Sequence, residues 1–118
     1  MAAPNLLALS SAVGKTMTAN LTSVANATIL AGNTNQLYKV NSIIVCNIDG
    51  ATGYDVTFSY FDGTNDRDFA YLVTVPAKSS LSLIDKPTTI YVEETGAIRG
   101  GASANNKLVA LISYEVLS

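Results

Sequence analysis

The chain has 118 residues, of which 48% are hydrophobic and only 14% are charged, and its formal net charge is −2. A chain of this length forms one domain with a core of its own. Its seven lysines and arginines are scattered, whereas binding to nucleic acid or to an acidic membrane surface needs clustered cations. We therefore expect no nucleic acid and no membrane among its partners. Because few charges are available to cover the surface, we expect another subunit to cover part of it.

The first residues differ in pattern from the rest of the chain. Residues 1–13 show no strand periodicity, so we predict an N-terminal arm there and a folded domain over 14–118. The arm contains Leu6, Leu7 and Leu9, which would be unfavourable in solvent. We predict that these three leucines bind a neighbouring subunit. The opening has no basic segment before its short apolar stretch, so we read no export signal in it.

Next comes "GKT", the last three letters of a phosphate-binding loop, at 14–16. That loop needs a glycine five positions before its Gly-Lys pair and a helix after it. The earlier position is Leu9, and "MTANLTS" follows, which has a β pattern. The stretch is therefore not predicted to bind a nucleotide.

The dominant period of the chain is two, which is typical of strands. "KTMTANLT" and "NATILAG" predict two short strands. "QLYKVNSIIVCNI" is apolar on both faces towards its end, which predicts a central strand covered on both sides, with Cys46 buried in it. "YDVTFSYF" and "FAYLVTV" flank a Gly-, Asp- and Asn-rich stretch and predict a hairpin. Its apolar positions are predicted to share a face within each strand: Val56, Phe58 and Tyr60; Phe69, Tyr71, Val73 and Val75.

Three further strand patterns follow: "SSLSLI", "TTIYVEE", which Thr95-Gly96 turns towards "AIRGGAS", and "KLVALISYEVL". The last of these places Leu108, Ala110, Ile112 and Tyr114 on one face. No segment keeps a helical period. About eight short strands separated by turns point to a sandwich or a barrel, and we predict an all-β fold, a single antiparallel β-sandwich of jelly-roll type. The glycines of "AIRGGAS" predict a bulge or a close backbone approach.

The residues give little support for catalysis. The chain has no histidine, which removes Ser-His-Asp and Cys-His arrangements, and one cysteine alone makes no zinc site. "DGTNDRD" supplies Asp62, Asp66 and Asp68, which could bind calcium, but such a turn more often caps its own backbone. Glu93 and Glu94 are neighbours in a strand and point to opposite faces. We therefore expect that the protein is not an enzyme and that it binds no cofactor and no metal.

Several stretches in order resemble a known family of proteins. They are "MAAPNL", "GKTMTANLT", "LYKVNSIIVCNIDG", "DVTFSYFDGT", "VTVPAKSSLSLIDK", "IYVEETGAIRGGASANNKL" and "ISYE", and they span nearly the whole chain. In this order the chain resembles small virion structural proteins of marine tailed bacteriophages, especially those that infect cyanobacteria. These stretches are strand and turn signatures, so no catalytic residue is carried over.

The resemblance implies a place in the virion, assembled in the host cytoplasm, but not a location within the particle. The expected role is a capsid decoration or cement protein, homo-oligomeric, whose partners are the major capsid protein or other virion subunits. A tail, neck or fibre component is the alternative, with host-glycan binding as a further option. Tyr54, Tyr60 and the Asp62–Asp68 turn are the candidate glycan residues.

Overall fold

The chain folds into strands joined by short turns, as its two-residue period predicts. The structure is a computed structural model that describes residues 6–24, 26–85 and 88–118. Nine strands form within these residues. Their bounds are β1 Ala12–Asn20, β2 Ala27–Ala31, β3 Leu37–Asn47, β4 Tyr54–Phe61, β5 Asp66–Val75, β6 Ser80–Ile84, β7 Ile90–Val92, β8 Ala97–Ala102 and β9 Leu108–Leu117.

The strands form two antiparallel sheets. Sheet 1 has the order β1-β9-β3-β6, and β7 also pairs with β3; sheet 2 has the order β2-β8-β4-β5. The pairs β1·β9, β2·β8, β3·β6 and β4·β5 are nested along the chain, as in one long hairpin folded over into two layers. This nesting is the jelly-roll arrangement. The predicted antiparallel β-sandwich is therefore confirmed.

β3 is long enough to pair with two strands on one side. β6 pairs with Ile43–Cys46 and β7 pairs with Tyr38–Val40, on the same edge of β3. Each partner is short, with five and three residues. The eight predicted strands all form, and a ninth, β8, forms in "AIRGGAS", which was not predicted as a strand. β1 begins at Ala12, within the last two residues of the predicted arm.

The core lies between the sheets and is built from alternate positions of the strands. Val56 and Phe58 of β4 are fully buried, as are Ile112 of β9 and its neighbours on the same face, which confirms the predicted inward faces. Phe58 packs against Phe69, with ring centroids 6.1 Å apart. A Cβ atom at Gly100 would lie 3.1 Å from the Phe58 ring and 2.8 Å from the Thr57 carbonyl oxygen. The predicted close approach at these glycines is confirmed.

One inward face was predicted wrongly. Tyr71 was placed on the buried face of β5 with Phe69 and Val73, but its side chain is 67% exposed. The register of β4 with β5 shifts at two places, and Leu72 has a φ of +50°. This is a β-bulge, which adds a residue to one strand and turns the following side chains over. The alternation therefore restarts at Val73.

The second correction concerns the end of β3. Cys46 is exposed, not buried, and Ile44 is 37% exposed. Both lie on the outer side of sheet 1, because the residues that alternate with them, Ile43 and Val45, point into the core. β3 is central in its sheet, as predicted, but the described residues cover it on one side only.

Candidate functional site: an uncharged sheet face

The outer side of sheet 1 carries no charge over most of its area. In an antiparallel sheet, directly paired residues point to the same side, so the register gives the membership of this surface. We call it the uncharged face. Its residues are Thr16, Thr18 and Asn20 of β1, Val109, Leu111 and Ser113 of β9, Ser42, Ile44 and Cys46 of β3, and Ser80 and Ser82 of β6.

The centre of the uncharged face is apolar. Leu111 lies directly opposite Ile44, and Val109 directly opposite Cys46. Leu111 is 40% exposed. Hydroxyl and amide side chains of β1 and β6 surround these four central residues. An apolar centre with an uncharged polar surround is the composition of protein interfaces, whose cores are depleted in charge.

The outer side of sheet 2 has a different composition. It bears Asp55, Asp66 and Asp68 together with Arg99. The Arg99 guanidinium lies 3.8 Å from the centroid of the Phe61 ring, and its Nη1 lies 3.3 Å from Oδ2 of Asp66. These charges set the outer side of sheet 2 apart from the uncharged face, and the paired Arg99 and Asp66 side chains are 26% and 24% exposed. The few charges of this chain are thus unevenly divided between the two sides of the sandwich.

Charged groups bound the uncharged face at both ends. At one end the register places Lys39 opposite Glu115. Beyond the other end, Nζ of Lys107 lies 3.5 Å from Oδ2 of Asp49. The backbone N–H of Ala51 donates to the Asp49 carboxylate and lowers its pKa, and the Tyr54 hydroxyl, which also donates to it, lowers the pKa further. A polar rim around an apolar centre is again the anatomy of an interface.

The predicted partner-binding leucines lie just before β1. Leu6 is 48% exposed, Leu7 is 96% exposed and Leu9 is half-buried. The backbone N–H groups of Ser10 and Ser11 donate to the Ser118 carbonyl oxygen at 2.7 and 2.9 Å, which ties the end of the arm to the end of β9. Residues 1–5 of the predicted arm lie outside the described residues. Two of the three leucines therefore offer apolar surface at the side of the sandwich.

The "GKT" stretch at 14–16, which resembles the end of a phosphate-binding loop, lies in a strand. Gly14, Lys15 and Thr16 are consecutive residues of β1, paired with Glu115, Tyr114 and Ser113 of β9. An extended strand does not curl its amides around a phosphate. The prediction that this stretch is no nucleotide loop is confirmed.

The Asp62 turn binds its own backbone. Oδ1 of Asp62 accepts the N–H groups of Asn65 and Thr64 at 2.7 and 2.9 Å. These bonds, that from Asn65 first, hold the pKa of Asp62 below its ordinary value of 3.8. Asp66 is instead directed to Arg99, and no group of three metal-ligating side chains occurs among residues 6–24, 26–85 and 88–118. The self-capped turn, one of the two predicted readings, is thus confirmed for Asp62.

This turn predicts a pH dependence. Because its folded-state pKa is lowered, Asp62 stabilises the fold above its unfolded-state pKa, and that contribution is lost as the pH falls through the folded-state value. We expect the free energy of unfolding in urea to fall on acidification below about pH 4. Asp62→Asn keeps the acceptor oxygen without the titration, so its curve should fall less steeply. An equally steep curve for Asp62→Asn would contradict this assignment.

The candidate glycan residues are not brought together. Tyr54 and Tyr60 point inwards from opposite ends of β4, about 20 Å apart at the usual rise of a strand. The Tyr60 hydroxyl accepts the Glu93 N–H at 3.4 Å, and burial raises its pKa. A cavity of about 120 Å³ lies on the outer side of sheet 2, well below the roughly 300 Å³ of small ligand sites. The geometry gives no sugar-stacking platform at these tyrosines.

The two neighbouring glutamates lie just after β7 and not, as was predicted, within the strand. The Glu94 carboxylate accepts the Asn35 N–H at 2.7 Å, which joins the β7–β8 turn to the β2–β3 turn. Glu93 is exposed. No helix in the described part of the chain is long and apolar enough to cross a membrane. Within these residues the geometry favours no reaction chemistry.

Sequence reasoning missed the uncharged face, although its signal was present. "SIIVCN" and "LVALIS" are apolar at consecutive positions, so each strand presents apolar residues to both sides of the sheet. The pattern predicted a strand covered on both sides, but the described residues leave its outer side uncovered. Only the register of the paired strands shows which residues of each strand point outwards.

Comparison with known proteins identifies the fold. No protein-family model matches the chain, and no curated protein matches it. Among solved structures, it is similar to a subunit of Bacillus endospore appendages, described as a novel family of disulfide-linked pili. The TM-score is 0.55 at 15% sequence identity, over 92% of this chain and 87% of that one. A xylanase 10B of Clostridium thermocellum, solved as linked CBM22-1 and GH10 modules, matches at a TM-score of 0.30 and 12% identity, over 90% of this chain and 25% of that one.

Proposed function

We propose that this chain is a non-enzymatic structural subunit of a tailed-bacteriophage particle, acting as a capsid decoration protein. The uncharged face carries the proposal. Jelly-roll sandwiches of this kind build viral capsids, and a side with an apolar centre and no charge suits burial against a neighbouring subunit. The appendage protein with the same fold is itself a component of a pilus, which supports an assembly role.

The mechanism in this role is stabilisation by binding. A subunit that binds a surface present only on the assembled shell shifts the equilibrium away from disassembly, and the shift grows with the logarithm of the free subunit concentration once that concentration exceeds Kd. The contacts supply the free energy, so no reactive group is needed. The exposed Leu6 and Leu7 add a second, separate contact with a neighbour.

The covalent linkage of the appendage pili has no counterpart in this proposal. The chain contains a single cysteine, Cys46, so a disulfide could join two subunits but could not continue to a third. A larger assembly of this chain therefore depends on non-covalent contacts, and the apolar centre of the uncharged face supplies them.

The test is the copy number of the chain in purified particles of the virus that encodes it, by quantitative mass spectrometry against the major shell subunit. A number comparable with that of the shell subunit supports decoration. A few copies per particle would move the chain to the tail, neck or fibres. Its absence from the particle would overturn the proposal.

A further inference from the structure

An open sandwich has free sheet edges, and proteins usually protect them. An edge strand presents unpaired N–H and C=O groups that can bind a strand of another chain, and short length, charge, proline or bulges reduce that risk. Sheet 1 ends at β1 on one side and at β6 and β7 on the other, whereas sheet 2 ends at β2 and β5. The four edges can be compared directly.

Three of the edges are protected. The β6 and β7 edge is broken into strands of five and three residues. β2 has five residues and an irregularity between Thr28 and Leu30. β5 is longer but has two register shifts and the charged run Asp66–Asp68. None of them offers a long regular row of backbone groups.

The β1 edge has none of these protections. β1 has nine residues, its register with β9 is unbroken from Ala12 to Asn20, and it contains no proline and one charge, Lys15. Among the described strands, β9 is its only partner. By the same criteria that mark the other edges as protected, β1 is open to another strand.

The hydrogen bonds show which backbone groups are available. Ser11 and Ser118 exchange both of their backbone bonds at 2.9 Å, and the Leu21 N–H donates to the Leu108 carbonyl oxygen at 2.9 Å. Because bonding alternates along an antiparallel pair, the odd-numbered residues of β1 bond to β9. The N–H and C=O groups that point away from the sheet belong to Ala12, Gly14, Thr16, Thr18 and Asn20.

We propose that β1 pairs antiparallel with β1 of a second copy about a two-fold axis, joining the two copies of sheet 1 into one continuous sheet. The partner is a second copy because β1 is the one edge among those described that is long and regular enough to match it. With Thr16 at the axis, Gly14 faces Thr18 of the partner subunit. The unpaired backbone N–H and C=O groups of one β1 strand then face those of the other. Lys15 then faces Met17 of the partner subunit, and no like charges are opposed.

This pairing also extends the candidate binding surface. Thr16 and Thr18 belong both to β1 and to the uncharged face, so the two uncharged faces become one surface across the axis. The inference rests on the edge geometry and does not depend on a role in a virus particle. It adds to the proposed function a defined building unit, a dimer with a symmetric contact.

The test uses the whole chain with proline at an outward-pointing position. Thr16→Pro removes an N–H that points to solvent in the single copy, so the β1·β9 bonds remain. Thr16→Val is the matched control, since it keeps the N–H in a β-branched residue. Light scattering after gel filtration should give twice the chain mass of 12.3 kDa for the unmodified chain and Thr16→Val. We expect dimer dissociation to become at least about 100-fold more favourable in Thr16→Pro.

Hydrogen exchange on the unmodified chain tests the pairing without any variant. The amides of Gly14, Thr16 and Thr18 should exchange slowly in the dimer and become faster on dilution to the monomer. A monomer at millimolar concentration would overturn the inference. A dimer that dissociates with Leu111→Lys but not with Thr16→Pro, and whose even-numbered β1 amides exchange rapidly, would also overturn it while supporting the uncharged face as the contact.

Discussion

Lysine in place of Leu111 is expected to weaken binding of the chain to a neighbouring subunit by at least about 100-fold, while the chain still folds. Leu111 points outwards and is 40% exposed, so a lysine there remains solvated in the free chain. At the centre of an interface the same ammonium would be buried without a partner, which costs about 3 kcal/mol or more. Each 1.4 kcal/mol corresponds to about tenfold in affinity.

The control is the same change at an exposed apolar residue on the other sheet. Tyr71 is 67% exposed on β5, and Tyr71→Lys should leave binding to shells within about twofold of the unmodified chain. Binding is measured by co-sedimentation with particles stripped of this protein, and folding by circular dichroism. If both variants bound equally well, the uncharged face would not be the contact. If Tyr71→Lys alone lost binding, the contact would lie on sheet 2.

Replacing Asn47 by alanine is expected to lower the free energy of unfolding by about 3 kcal/mol. Asn47 is 1% exposed. Its Nδ2 donates to the carbonyl oxygens of Thr52 and Val75, each at 2.9 Å, and its Oδ1 accepts the Asp49 N–H at 2.9 Å. One side chain thus joins the end of β3, the following loop and the end of β5. Alanine would remove all three of these hydrogen bonds at a buried position.

Two further variants separate hydrogen bonding from packing at this position. Asn47→Asp keeps the volume and the acceptor but directs a negative charge at two carbonyl oxygens. It should be less stable than Asn47→Ala at neutral pH and should recover as acid protonates the carboxyl. Asn20→Ala, at an exposed position of β1, should change the stability by less than about 0.5 kcal/mol. Urea denaturation of all four proteins gives the comparison, and equal stabilities for Asn47→Ala and Asn20→Ala would contradict the assigned role.

The inward faces of the strands could be predicted because alternation is a local property of the sequence. Val56 and Phe58, or Ala110 and Ile112, lie two residues apart and therefore share a side of any regular strand. The prediction of Tyr71 was wrong because a bulge is set by pairing with another strand. Nothing in "FAYLVTV" marks Leu72 as the residue with a positive φ.

The candidate site could be predicted only in part. The low charge of the chain indicated that some surface is covered by a partner, but not which surface. Cys46 was expected to be buried because it lies in an apolar run, but a run of this kind does not show whether the same chain or a partner supplies the cover. When a strand has apolar residues on both faces, both faces are expected to be covered. Only the fold shows whether the same chain covers the second face.

The proposed role as a building block assigns a different task to each side of the sandwich. The core between the sheets stabilises the fold, with Phe58 and its neighbours fully buried. The outer side of sheet 2 carries the charged residues Asp55, Asp66 and Arg99. In the proposed role, the outer side of sheet 1 and the β1 edge make the contacts with other subunits. Fold and function thus use different residues, and each can be altered separately.

The most direct test of the uncharged face uses Cys46, the exposed thiol at its centre. The rate of maleimide labelling of Cys46 is compared between intact particles and the same chain released from them. If neighbouring subunits cover the uncharged face, labelling in the particle should be at least about tenfold slower than in the released chain, and Leu111→Lys should remain unassembled and rapidly labelled. Equal rates in the particle and in the released chain would show that the face is open to solvent in the assembly and would contradict the account.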